Sequence, residues 1–183
     1  MAGFHKLTES EIWRSPLLRV TTGRFVSPDG EEFDRDVVHH PGAVVVVPMI
    51  DAQRVIVVRQ YRAAIDAELL ELPAGKRDVT GEDPARTAAR ELAEEVGRVA
   101  ARWELLARFY NSPGFSDELS HLYLARDLKE VDNDLQGIEE RHLRVEEISL
   151  ADLDDLIASG TIVDAKTIIG LSLAARASAA APP

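Results

Sequence analysis

The chain has 183 residues, 45% of them apolar and 29% charged, a globular mixture at the size of one domain with a small appendage. Its 21 Lys and Arg stand against 32 Asp and Glu, a net charge of −11, which is the wrong sign for attachment to nucleic acid or anionic lipid by a general electrostatic field. Cysteine is absent, which excludes disulfides, thiolate catalysis and cysteine zinc sites.

Residues Met1 to Ser10 contain no apolar stretch, so no secretory signal is expected and the chain reads as cytoplasmic. The first forty residues alternate short β-like runs with turn signals. Leu17 to Val26 and Glu32 to His39 flank Ser27-Pro28-Asp29-Gly30, the signature of a hairpin. Residues 1–40 are therefore expected to form an N-terminal antiparallel β segment, and residues 41–183 the main domain. Ala43 to Met49 is a β-branched run suited to a strand buried on both faces. The longest apolar run, Ala43 to Ile50, is interrupted by Pro48 and falls far below the roughly 20 residues of a membrane helix. Val55 to Gln60 and Leu69 to Leu72 are the next strands, the latter ending at Pro73-Ala74-Gly75. Later strands are expected at Trp103 to Tyr110, His121 to Ala125 and Leu143 to Ile148.

Three helices carry clear punctuation. Asp83 caps the first, with Pro84 at its first position and Gly97 as its stop. Ser149 caps a second that ends before Gly160, and Asp164 caps a third that runs into an alanine-rich tail. Strands joined partly by hairpins and interleaved with few helices predict an α/β fold, a mixed β-sheet with helices on its faces.

At about 100° per residue, Ala85, Ala89, Leu92 and Val96 share one face of the first helix and are expected to pack on the sheet. Arg90, Glu91, Glu94 and Glu95 fall in the opposite arc, an acidic outer face. Glu94 has Arg90 four residues earlier as a partner. Glu91 and Glu95 are also four apart but of like sign, a pairing that costs about 0.2–0.5 kcal/mol in an isolated helix. A solvated acidic helix and a divalent cation site both remain open from spacing alone. In the second case two carboxylates one turn apart converge on one ion, or straddle two ions about 3.5–4 Å apart. Oxygen ligands of this kind suit magnesium or manganese.

Gly75, Glu82 and Arg90-Glu91-Leu92-Ala93-Glu94-Glu95-Val96-Gly97 resemble the signature box of the Nudix hydrolases, which cleave nucleoside diphosphates linked to another moiety. The seven residues 83 to 89 between Glu82 and Arg90 match the pattern. Two departures stand out. Six residues, 76 to 81, separate Gly75 from Glu82 where the pattern has five, and Arg98 takes the place of an aliphatic residue. Arg59-Gln60-Tyr61-Arg62, Leu70-Glu71-Leu72-Pro73-Ala74-Gly75 and Ser112-Pro113-Gly114-Phe115-Ser116-Asp117-Glu118 look like features of the ADP-ribose pyrophosphatase branch. The likeness spans roughly Arg35 to Ala165.

The resemblance implies a Nudix-type α/β/α sandwich and a set of roles. Glu91, Glu95 and the main-chain carbonyl of Ala74 would ligate magnesium or manganese, two or more ions per site. Glu82 and Glu94 would be supplementary ligands, and Arg90 would hold the glutamates in place. Glu139 or Glu140 would serve as general base. Arg62 would contact phosphate, Glu118 would lie near the terminal ribose, and Arg35 with Asp36 would form an adenine-side pair. In relatives that pair comes from the partner subunit of a homodimer with exchanged N-terminal strands. The implied activity is hydrolysis of ADP-ribose to AMP and ribose 5-phosphate. Its rivals are hydrolysis of another nucleotide sugar such as GDP-mannose, and a non-hydrolytic ADP-ribose sensor. The adjacent pair His39-His40 points to opposite faces of a strand, which disfavours a shared metal ion. Trp13 and Trp103 read as packing residues.

Overall fold

A computed structural model of the protein describes residues 3–132 and 140–179. They form ten strands and three α-helices, and the chain divides into two compact units. The first comprises residues 1–43 with 109–120, and the second residues 44–108 with 121–183.

In the first unit, β1 (His5–Arg14), β2 (Arg19–Val26) and β3 (Glu32–His39) form an antiparallel sheet in that order. The hairpin read from Ser27 to Gly30 joins β2 to β3, and Gly30 takes φ 86° there, as the turn requires. Strand β1 has no burial period, because every one of its residues is exposed. Trp13 is 51% exposed, so it is not the packing residue expected of it. It pairs by backbone with Val20, at a place where the β1–β2 register shifts.

Lying wholly or mainly in the second unit, β4 (Ala43–Pro48), β5 (Arg54–Arg62), β6 (Ala67–Glu71), β7 (Ala74–Lys76), β8 (Arg98–Tyr110), β9 (Leu119–Glu130) and β10 (Arg144–Ser149) supply two sheets. Their strand orders are β10-β5-β6, which is antiparallel throughout, and β7-β4-β9-β8. Every residue of β4 is buried, as its valine run predicted. Val44 and Val46 pack in a cluster with Ile56, Val58, Ala88, Leu92 and Val96, which places α1 (Pro84–Val96) on that side. Val47 faces the other way, where Gly170 of α3 (Ala165–Ala179) approaches Leu72, Leu122 and Val47 so closely that a Cβ would collide with Leu72. Strand β4 is thus covered by a helix on each face, the sandwich arrangement expected. Trp103 packs as expected, edge-on to Tyr123 with ring centroids 6.3 Å apart.

The second expected helix begins later than its cap predicted. Ser149 accepts from the Ala151 N–H and caps a 3₁₀ turn, Leu150–Asp152, which leads into the short α2 (Leu153–Ala158). The sequence does not mark strand β7, because Pro73-Ala74-Gly75 carries turn residues. Its place is set by backbone pairing instead, with the Val46 N–H donating to Pro73 O at 2.9 Å. Among the described residues no helix is long and apolar enough to cross a membrane.

Candidate functional site

Helix α1 is fixed at both ends by the residues that punctuate it. Asp83 Oδ1 accepts from the Ala85 N–H at 2.8 Å, and Pro84 opens the first turn. Gly97 closes the helix at φ 65°, ψ 40°, its N–H donating to Ala93 O. Such a left-handed stop favours glycine.

The face that this helix buries differs from the one its apolar spacing predicted. Thr87, Ala88, Glu91, Leu92, Glu95 and Val96 are buried, whereas Ala85 and Ala89 are only partly so. Glu91 is 9% and Glu95 4% exposed, so neither belongs to a solvated outer face. Removing two like charges from water is costly unless the surroundings compensate them. Two features do so. The backbone N–H of Ala74 donates to Glu95 Oε2 at 3.2 Å. Beside it, Gly75 lets the Glu91 carboxyl group approach the strand so closely that a Cβ at that position would lie 1.9 Å from Glu91 Cδ. The glycine in this motif is therefore a matter of space, since its direction of substitution is filled by the carboxylate.

Arg90 sits among four carboxylates. Its Nη1 donates to Glu94 Oε2 at 2.8 Å and lies 2.9 Å from Glu91 Oε1, while Nη2 is 3.6 Å from Glu82 Oε2 and 4.0 Å from Asp78. Burial opposes the guanidinium charge, but Glu91, Glu94 and Glu82 more than offset it and raise the Arg90 pKa further. Glu82 is steadied in turn by the Thr87 hydroxyl at 2.9 Å. The expected group Glu82, Arg90, Glu91, Glu94 and Glu95 is thus brought together, with Arg90 linking three of the glutamates.

A cavity of about 340 Å³ opens beside this group, lined by Ala74, Gly75, Glu91, Glu94 and Glu95 together with Gln60, Tyr61 and Arg62. Arg62 reaches it while forked onto Glu71, with Nε at 2.8 Å and Nη2 at 2.5 Å. The hydrogen bonds to Glu71 hold the Arg62 guanidinium firmly charged. Glu71 is 1% exposed and was not singled out from sequence as a site residue. A glutamate within Leu69-Leu70-Glu71-Leu72 was the available signal, since such a residue is buried only with a partner. The next residue anchors the loop to α3, where the Leu72 N–H donates to Thr167 Oγ1 and that hydroxyl donates to Asp164.

The donor set fits a hard divalent cation, because Glu91, Glu94 and Glu95 present only carboxylate oxygens to the cavity and Ala74 lines it. Among the described residues no three acidic or histidine side chains are already gathered into a cation cage, and Arg90 Nη1 lies 2.9 Å from Glu91 and 2.8 Å from Glu94. Of the two base candidates, Glu139 lies outside the described residues. Glu140 begins a 3₁₀ turn, Glu140–His142, and only its backbone is described.

Arg35, Asp36 and Glu118 belong to the first unit. The Arg35 guanidinium stacks over Phe33, 4.7 Å from the ring centroid, and Asp36 accepts from the Thr22 hydroxyl at 2.7 Å. Glu118 is held by its backbone N–H on Ser116 Oγ at 3.2 Å.

Residues 39–169 match the NUDIX domain family. The chain is 39% identical over 140 residues to an ADP-ribose pyrophosphatase of Bacillus subtilis, covering 76% of this chain and 75% of that protein. It is 41% identical over 168 residues to an ADP-ribose pyrophosphatase of Mycobacterium tuberculosis, covering 92% and 81%. A methanol dehydrogenase activator of Bacillus methanolicus is 38% identical over 161 residues, covering 88% and 86%. Among solved structures, an ADP compounds hydrolase superposes with a TM-score of 0.81 at 24% identity, covering 94% of this chain and 92% of that one. That likeness is one of fold.

Proposed function

The chain belongs to the Nudix family, and on that premise we propose that it hydrolyses the diphosphate bond of ADP-ribose, giving AMP and ribose 5-phosphate. The observation that carries the reading is the burial of Glu91, paired with Arg90, and of Glu95 one turn on, beside a cavity that Arg62 also lines. The family supports a divalent-metal hydrolase, and the two relatives named for ADP-ribose support the substrate.

Glu91, Glu95 and the Ala74 carbonyl would hold magnesium or manganese, two or more ions per site, with Glu82 and Glu94 as supplementary ligands. The metal, when bound, neutralises the diphosphate and acidifies water. The chain's own residues do the rest. Arg90 keeps the glutamates oriented until cations share them, and Arg62, fixed by Glu71, offers a positive charge to a phosphate oxygen. Water attacks phosphorus, the bridging phosphorus–oxygen bond breaks, and Glu139 or Glu140 takes the proton. Glu118 contacts the terminal ribose, and Arg35 with Asp36 the adenine side. The glutamates are bases and ligands, not nucleophiles.

The reading includes a cytoplasmic homodimer with exchanged N-terminal strands, in which residues 1–40 make the dimer and 41–183 the hydrolase. It is supported by the exposed Phe4, Leu7, Ile12 and Trp13 in or beside β1. A turnover screen of nucleoside diphosphate compounds tests the substrate. ADP-ribose is expected to be cleaved fastest. Faster cleavage of GDP-mannose would move the substrate, and binding of ADP-ribose without cleavage would make the chain a sensor.

A further inference from the structure

Strand β5 carries a buried polar side chain that the proposed reaction does not use. Ile56 and Val58 on this strand pack in the cluster with Leu92 and Val96 of α1. Side chains alternate along a strand, so Gln60 and Arg62 continue the same face. It is there that the cavity beside Glu91, Glu94 and Glu95 opens. Gln60 lines that cavity while only 5% exposed, and its Nε2 has no hydrogen-bond partner among the described residues. A buried amide donor without an acceptor destabilises the fold, and most such groups in folded proteins are satisfied. An orphan donor on a cavity wall points to an acceptor that arrives from outside.

The strand register shows why the neighbouring strand supplies none. On β6, Leu69 stands opposite Gln60, and Glu71 opposite Val58. The Leu69 side chain has nothing to accept with. Both carboxylate oxygens of Glu71 are engaged by Arg62, Oε1 by Nε at 2.8 Å and Oε2 by Nη2 at 2.5 Å. Arg62 itself pairs with Ala67, so its side chain runs back past the Gln60–Leu69 pair to reach Glu71. The Gln60 amide and the Arg62 guanidinium thus belong to one wall as donors, while α1 lines the same cavity with the carboxylates of Glu91, Glu94 and Glu95. A ligand rich in anionic oxygens suits this division. Cations held by the glutamates would meet some of its oxygens, and the donors on β5 would meet others. A guanidinium makes its stronger hydrogen bonds to anionic oxygen, and the amide beside it addresses the same group.

We propose that Gln60 is a substrate-binding residue whose Nε2 donates to a non-bridging phosphate oxygen, beside the one met by Arg62. This role rests on the reading that the cavity takes a diphosphate, and it holds whichever sugar that diphosphate carries.

Calorimetric binding of ADP in excess magnesium reads the contact without turnover, and adenosine serves as the matching ligand without phosphate. Gln60→Met keeps the length and the unbranched shape but removes the donor. Its affinity for ADP is expected to fall about tenfold or more, since a hydrogen bond to a charged group is lost. Its affinity for adenosine should stay as in the wild type. The urea midpoint of Gln60→Met should match or exceed that of the wild type, because the donor removed has no partner in the fold. Gln60→Glu keeps the shape but turns a carboxylate toward the phosphate, so ADP affinity should fall further still.

Equal ADP affinity in the wild type and Gln60→Met overturns the assignment, as does an equal loss for adenosine or a wild type that does not bind ADP. A clearly lower urea midpoint in Gln60→Met also overturns it, since the amide would then be bonded within the fold. Retained ADP affinity in Gln60→Glu does the same, because the contact would run through an acceptor. With ADP-ribose as substrate, KM should rise by the same factor in Gln60→Met with kcat little changed. A wild type that binds ADP through Gln60 but leaves ADP-ribose uncleaved overturns the substrate and supports this role.

Discussion

Glu91 and Glu95 face inward, and two small neighbours make that possible. Ala74 offers a backbone N–H to Glu95, and Gly75 offers the space into which Glu91 fits. Like-charged side chains one helical turn apart repel by only about 0.2–0.5 kcal/mol when exposed, but burial raises the cost of each unpaired charge to several kcal/mol. Arg90 beside Glu91 and the Ala74 N–H on Glu95 offset that cost, and a divalent cation would add to them. Glu95→Gln removes one charge from the proposed ligand set while keeping the shape, so turnover should fall roughly a hundredfold or more with the fold intact. Near-normal magnesium-dependent rates in that variant would show the ligands to be elsewhere. Gly75→Ala puts a methyl group where the Glu91 carboxyl group lies. Since a glutamate side chain can swing aside, the expected loss is of activity more than of stability, read as turnover beside a urea melt. An active Gly75→Ala enzyme would mean that Glu91 does not need this position.

The elements themselves were largely legible. Asp83-Pro84 and Gly97 bound α1 to the residue, because caps act locally and need no tertiary partner. The valine run Val44 to Val47 announced a strand buried on both faces. What spacing could not show was the orientation of α1. Its apolar residues Ala85 and Ala89 are small, so the larger demands of Leu92, Val96 and the paired glutamates decided which arc turned inward. Strand β7 was hidden because its three residues carry no β-branched side chain and are held by backbone pairing alone. The partner of Arg62 was hidden because Glu71 comes from a neighbouring strand. At the start of α3, burial pushes the Asp164 carboxyl up, but Lys166 and then Thr167 outweigh it and hold the group below its ordinary range. A depressed carboxyl contributes stability above its unfolded pKa and loses it as pH falls through the folded one. The destabilisation caused by Asp164→Asn should therefore be largest near neutrality and shrink as pH falls below about 4, measured by urea unfolding. A cost independent of pH would assign Asp164 to capping alone.

For the molecule as a whole, a net charge of −11 makes direct approach of a diphosphate unfavourable, so bound cations would favour binding as well as chemistry. The same scale governs the N-terminal sheet, whose outer strand leaves Leu7, Ile12 and Trp13 exposed. Deleting residues 1–34 should lower both the oligomeric state in light scattering and the affinity for ADP-ribose. A truncated monomer with full activity would contradict the exchanged-strand dimer. The most direct measurement is the product analysis of wild-type protein incubated with ADP-ribose, with magnesium and then with excess chelator. AMP and ribose 5-phosphate should accumulate in the first and be absent from the second. Equal product in the two, or none in either, would contradict a cation-dependent diphosphate hydrolase built on Glu91 and Glu95.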